Sequence, residues 1–155
     1  MTALHAGCLL RPMTDADLPE VVAIEDATQP TPWSAQVFRD CFSSHYDCRV
    51  VERDNAIIGF VVLSSVLDEA HLLNIAVAPA MQRRGIAWAV LKEIIPEYQG
   101  RALRYLYLEV RESNVGAQAL YQHLGFQIVG QRKHYYRTHD GRENAVLMML
   151  DLSAS

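Results

Sequence analysis

Apolar residues along the chain follow two rhythms. Short β-branched and aromatic runs predict strands: "CLLRP", "DCRVVERD", "AIIGFVVLSSV", "EAHLLNIAV", "LRYLYLEV", "FQIVGQRKHYYR" and "NAVLMMLDL". Between them, apolar positions recur at helical spacing. The segment "TDADLPEVVAIEDA" offers Thr14, Asp15 or Asp17 as an N-cap and Pro19 in the first turn, with Leu18, Val21 and Val22 on one face. After the Pro-marked break "QPTPW", the segment "SAQVFRDCFSS" starts at an N-cap Ser34. Trp33 before that cap and Phe38 four residues after it form a hydrophobic staple. The run "QRRGIAWAVLKEIIPEYQ" carries Ala87, Val90, Leu91, Ile94, Ile95 and Tyr98 at helical spacing, with Pro96 in or near its last turn. A short fourth helix, "NVGAQALYQHLG", has Asn114 as N-cap and Gly125 at the C-terminal left-handed position.

Asp54-Asn55 and Asp140-Gly141 mark turns between neighbouring strands. The predicted order is β, α, α, β, β, β, α, β, α, β, β, with no repeat, linker or low-complexity tract. One α/β domain over residues 1–155 follows, with a mixed central sheet flanked by helices. The near-continuous apolar strand runs fit strands covered on both faces.

Composition narrows the function classes. Half of the 155 residues are hydrophobic and 21% are charged, which is globular. The net charge of −4 argues against a general nucleic-acid binder and is compatible with a basic peptide partner. Three cysteines without a CxxC pair predict no disulfide framework and a reducing, cytoplasmic setting. The six histidines (His5, His45, His71, His123, His134 and His139) form no ligand-type cluster, so no metal site is expected. The N-terminus lacks a long apolar signal-peptide core. The longest apolar-dominated uncharged run, residues 55–67, has 13 residues, short of the ~20 a membrane span needs.

Three stretches carry candidate chemistry. In "VAPAMQRRGIA" a strand gives way through a tight loop to a helix near Gly85. The first turn of a helix has unpaired N–H groups and a partial positive charge. Gly85 and Ala87 are small, and Arg83 and Arg84 add charge at the rim, which makes a cradle suited to a phosphate or pyrophosphate. A plain helix start with solvated arginines explains the segment equally well. In "LYLEVRESNVGAQALYQHLGF", Glu109 interrupts an apolar strand. It is either a solvated residue on the far face or a general base whose pKa is raised by burial. Asn114 reads as a cap. Tyr121, beside Leu120, Leu124 and Phe126, is either core filler or a proton donor. "KHYYRTHDGRENA" is a basic hairpin tip, in which Tyr135 and Tyr136 suit a binding loop.

Taken jointly, "LLNIAV", "QRRGIA", "LEV", the following Asn and "ALYQHLGF" resemble the GCN5-related N-acetyltransferase (GNAT) family over residues 72–126. With "TPWS", "LDEAHLLNIAV" and "HYYRTHDGRENAVLM", the likeness narrows to the bacterial branch that acetylates the N-terminal alanine of a ribosomal protein. Ala87 stands where the family often has glycine, Trp88 where many members are basic or small, and Arg137 where proline often follows the tyrosine pair.

The resemblance implies a GNAT fold, splayed beside "NIAV", and acetyl-CoA as co-substrate without a metal. Backbone groups of Ile75, Ala76 and Val77 would pair with the pantetheine arm. Arg83, Arg84, Gly85, Ile86, Ala87 and Trp88 would hold the pyrophosphate, and Asn114 would lie near the pantetheine end. Glu109 matches the general base and Tyr121 the general acid. The partner would be the N-terminus of a ribosomal protein, gripped by Trp33, Tyr135 and Tyr136, with no membrane or nucleic-acid contact. The chemistry agrees: an α-amine of pKa about 8 needs one carboxylate to draw off its proton near neutral pH.

Three alternatives stand beside this reading. One is acetylation of a small amine such as a polyamine or aminoglycoside. Another is a non-catalytic acyl-CoA-binding regulator, disfavoured by the presence of both Glu109 and Tyr121. The third, an ATP module on "QRRGIA", lacks the Lys-Ser/Thr that should follow the glycine.

Overall fold

The computed structural model describes residues 2–4 and 7–153, so His5 lies outside the described residues. The elements run β1 (Thr2–Ala3), β2 (Leu9–Pro12), α1 (Leu18–Thr28), α2 (Ala35–Asp40), β3 (Tyr46–Arg53), β4 (Ala56–Val66), β5 (Glu69–Val77), α3 (Ile86–Gln99), β6 (Tyr105–Arg111), α4 (Val115–His123), β7 (Gln127–Thr138) and β8 (Gly141–Asp151). Short 3-10 turns sit at Asp15–Asp17 and Pro79–Met81. This is the predicted order with a two-residue strand added in front. Among the described residues no helix is long and apolar enough to cross a membrane.

Local chemistry explains the joints. Asp54 and Asn55 both hold positive φ (52° and 64°), the conformation a two-residue hairpin turn requires and these residues tolerate. Ser34 caps α2 by accepting the Val37 N–H, and the Trp33 and Phe38 rings meet at 5.2 Å, as the staple predicts. Asn114 caps α4 by accepting the Ala117 N–H at 3.2 Å.

Among the described residues eight strands form one mixed sheet in the order β1-β2-β3-β4-β5-β6-β8-β7, parallel only between β5 and β6. β4 shows why its sequence is apolar without interruption. Val61 and Leu63 point into a core closed by α3 and α4, while Phe60 and Val62 point into a second core under α1 and α2. Burying a side chain such as Phe60, 1% exposed, contributes about 1.5–3 kcal/mol. Gly59 sits where a Cβ would come within 3.0 Å of the Ala76 carbonyl, so β4 and β5 close up only over a glycine.

One irregularity positions the site. β5 pairs with β6 from Glu69↔Tyr105 to Leu72↔Leu108 and no further. At the same point Val62 faces Asn74 while Leu63 faces Leu72, which leaves Leu73 as an extra residue in β5. Such a bulge bends the strand and sharpens its twist. β6 meanwhile stays with β8 as far as Arg111↔Ala145. The two parallel strands therefore part company, and a gap opens beside Asn74 and Ile75, where the splay was expected. Along β6, Leu106, Leu108 and Val110 are buried in the α3/α4 core, so Tyr107, Glu109 and Arg111 occupy the α1/α2 face.

Candidate active site

The gap leads to two adjoining clefts. The larger, about 450 Å³, lies along the open edge of β5 and the start of α3. The turn between them is held by Ala78 N–H to Ile58 O at 2.8 Å and by the Gln82 side chain donating to Val77 O at 3.0 Å. Arg83 (φ 65°) and Gly85 (φ 77°) both take left-handed conformations, which only glycine adopts without strain. They bring the chain into α3 with its first-turn N–H groups at the cleft and no acidic residue in that turn. Ile75, Ala76, Val77, Arg83, Gly85, Ile86, Ala87, Trp88 and Asn114 all line this cleft. Arg84 does not: it follows one left-handed residue and precedes another, and it is exposed. Ile86 is 5% exposed, its side chain in the core, so it offers the cleft mainly backbone. Trp88 is flanked by His123 (5.1 Å between rings) and Lys92 (5.4 Å). The residues present fit acetyl-CoA: an open strand edge for an extended arm, then a helix N-terminus with small residues for a diphosphate.

The smaller cleft, about 190 Å³, is mostly polar and lies on the α1/α2 side. Glu109, Tyr121, Trp33, Tyr136 and Asn114 all line it. Glu109 and Tyr121 come from opposite faces of the sheet, one on β6 facing α1 and the other on α4 in the α3/α4 core. The parting of β5 and β6 is what lets both address one space. Of the two sequence readings of Glu109, the far-face one describes its position. Its side chain is 19% exposed and lies 3.5 Å from the Arg132 guanidinium, so it is not buried among apolar neighbours.

Tyr121 is buried, its ring meeting Phe126 at 5.7 Å. Burial, and secondarily Tyr136, holds its hydroxyl well above the usual phenol range, so it stays protonated at neutral pH. That hydroxyl takes no hydrogen bond from the described residues, and no polar side-chain atom there is buried without a partner, so it opens onto the cleft. Tyr121 and Asn114 line both clefts.

The hairpin tip divides the tyrosine pair. His134 (φ 56°) lies in a bulge between Arg132 and Tyr136, its N–H bonded to Asn144 Oδ1. This turns Tyr136 inward, where its hydroxyl donates to Glu109 O at 3.0 Å and, through burial and then the Glu109 charge, is pushed up to about 12. Tyr135 is outside the cleft and 43% exposed, edge-on to Tyr136.

Three residues of this cleft escaped the sequence. Arg111 donates to Arg137 O (2.8 Å), Glu143 Oε1 (3.0 Å) and Thr31 Oγ1 (3.3 Å), and stacks on Tyr136 at 4.5 Å, tying the α1–α2 loop to the β7–β8 hairpin. The hydrogen bond Arg111 gives to Glu143, foremost, holds the Glu143 carboxyl below the usual range. Glu25 is 1% exposed in α1. It accepts the Trp33 N–H at 2.9 Å and the Asn74 side-chain amide at 3.0 Å, and burial pushes its pKa up against those bonds. Glu25 left one trace in the sequence: it continues the Leu18–Val21 stripe one turn further, a carboxylate on an apolar face. Nothing local marks Asn74 or Arg111.

Comparison with known proteins agrees with this fold. A family model described as the acetyltransferase (GNAT) family matches residues 13–126. The chain is 41% identical over 137 residues to the ribosomal protein bS18-alanine N-acetyltransferase of Escherichia coli (strain K12), covering 88% of this chain and 93% of that protein. It is 40% identical over 146 residues to the protein of the same name from Haemophilus ducreyi, covering 93% and 100%. The crystal structure of the ribosomal-protein-S18-alanine N-acetyltransferase from Escherichia coli superposes with a TM-score of 0.90 at 38% identity, covering 96% of each chain.

Proposed function

The chain belongs to the acetyltransferase (GNAT) family, and we propose that it transfers the acetyl group of acetyl-CoA to the N-terminal alanine of ribosomal protein bS18. The observation that carries this reading is the meeting of Glu109 and Tyr121 at one polar cleft, reached through the parted strands β5 and β6, in a chain about 40% identical to such enzymes over nearly its whole length.

When bound, acetyl-CoA supplies an activated acyl thioester. Glu109 takes the proton of the substrate α-ammonium, directly or through a water, and so frees the lone pair that attacks the acyl carbon. With an α-amine pKa of about 8, that proton transfer needs no strong base. Tyr121, protonated throughout the neutral range, gives a hydrogen bond and then a proton to the departing sulfur. The first turn of α3, with Gly85 and Arg83, holds the diphosphate, and the edge of β5 from Ile75 to Val77 holds the arm. Trp33 and Tyr136 flank the acceptor, and the net charge of −4 favours a basic ribosomal-protein tail.

The test is a panel of peptides beginning with Ala, Ser, Gly, Leu or Lys, assayed for kcat/KM with acetyl-CoA beside spermidine and free lysine. Alanine-first peptides lead and the ε-amine of lysine is poor. A lead of ten-fold or more for the small amines would replace this reading with small-amine acetylation.

A further inference from the structure

We propose that Glu25 is a positioning residue: it fixes the side-chain amide of Asn74 so that the amide oxygen faces the incoming amine. This rests on reading the polar cleft as the acceptor site. The two oxygens of Glu25 are both in use, one on the Trp33 N–H and one on Asn74 Nδ2. A carboxylate has no hydrogen to give, so Asn74 must turn its NH₂ end toward it. Its Oδ1 is then left without a partner among the described residues. Since no polar side-chain atom there is buried unpaired, that oxygen is open, and Asn74 lines the acceptor cleft together with Glu109.

The placement suits an amine. Asn74 sits at the point where β5 leaves β6, on the α1/α2 face that Glu109 also occupies. An α-ammonium offers three N–H donors. Glu109 accepts the one it removes, and Asn74 Oδ1 accepts a second, which persists in the neutral amine and keeps its lone pair aimed into the gap. The choice of glutamate at position 25 supports this. A buried carboxylate without a paired cation is expensive, and a glutamine would satisfy the Trp33 N–H equally well. What a glutamine would also do is present its own NH₂ to Asn74. The asparagine amide would then turn over and offer the substrate amine a donor where it needs an acceptor.

Glu25→Gln is therefore expected to raise KM for an alanine-first bS18 peptide by about 10- to 100-fold, what one hydrogen bond to a charged group contributes, with kcat within about three-fold. Inhibition by the acetylated product peptide, which has no ammonium, and affinity for acetyl-CoA should hold. The exchanged pair Glu25→Gln with Asn74→Asp restores an acceptor on every partner and should recover most of the lost KM. If Glu25→Gln does not fold, Asn74→Ala removes the same oxygen and must show the same split. An unchanged KM overturns the proposal, as does product inhibition that weakens in step with KM, or an exchanged pair no better than the single variant. Glu109→Gln assayed alongside separates the two readings. If it is fully active, the cleft is not the acceptor site and both fall; if it is dead while Glu25→Gln is normal, only this one does.

Discussion

The turn into α3 and the polar cleft beside β6 lie on two sides of one gap, yet they are made of different material. The turn is seven consecutive residues, 82–88, working through backbone N–H groups, two left-handed conformations and small side chains. The polar cleft draws Glu25 from α1, Trp33 from the following loop, Asn74 from β5, Glu109 and Arg111 from β6, and Tyr136 from β7, and it works through side chains. The first kind of site tolerates changes of chemistry but not of size or φ. The second tolerates little change of chemistry, because each group holds the next.

Three substitutions break or sharpen that contrast. The largest effect is expected from Glu109→Gln, which keeps size and removes the base. Turnover should fall by roughly 10²–10⁴-fold while acetyl-CoA binds as before. Near-parental rates across pH 6 to 9 would take Glu109 out of the role, and with it the reading of the polar cleft as the acceptor site. Tyr121→Phe comes next. It keeps the ring that packs on Phe126 and removes only the hydroxyl, so turnover should drop by about 10²-fold with Tm barely moved. A variant as active as its parent would make Tyr121 core filler after all. The smallest loss is expected from Gly85→Val, which puts a β-branched residue at φ 77°. Strain of about 1–3 kcal/mol should weaken acetyl-CoA by about ten-fold or more in calorimetry and leave the peptide KM nearly alone. Equal weakening of donor and acceptor would show that the two halves are not separable.

The same contrast explains what the sequence disclosed. Element order, the Ser34 and Asn114 caps and the Trp33–Phe38 staple depend on neighbours within a turn or two, and the structure has them as predicted. The tight turn at residues 82–88 and the helix that starts near Gly85 were legible for the same reason, except that the loop carries Arg84 away from the cleft. Glu109 was visible as a charge in an apolar strand, but which face it took depended on the core under β6. Glu25, Asn74 and Arg111 meet across separations of 49 and 80 residues, as in Glu25–Asn74 and Arg111–Thr31, and no local pattern encodes such meetings. Tyr135 and Tyr136 looked equivalent until the bulge at His134 sent one in and the other out.

The parting of β5 from β6 also bears on how the sheet meets other chains. A strand edge with unpaired backbone groups invites another chain to add to it. Here the stretch of β5 beyond Leu72 has such an edge, in a sheet that is otherwise paired from β1 to β7. That edge is internal, with β6 across the gap and α3 and α4 closing one side, so another protein's sheet cannot dock on it broadside. The outer edges are protected by other means. β1 is only two residues long, and β7 is bulged and carries Arg132, Lys133 and Arg137. Hiding the open edge inside the fold lets the chain keep hydrogen-bonding capacity for a thin ligand while denying it to other proteins.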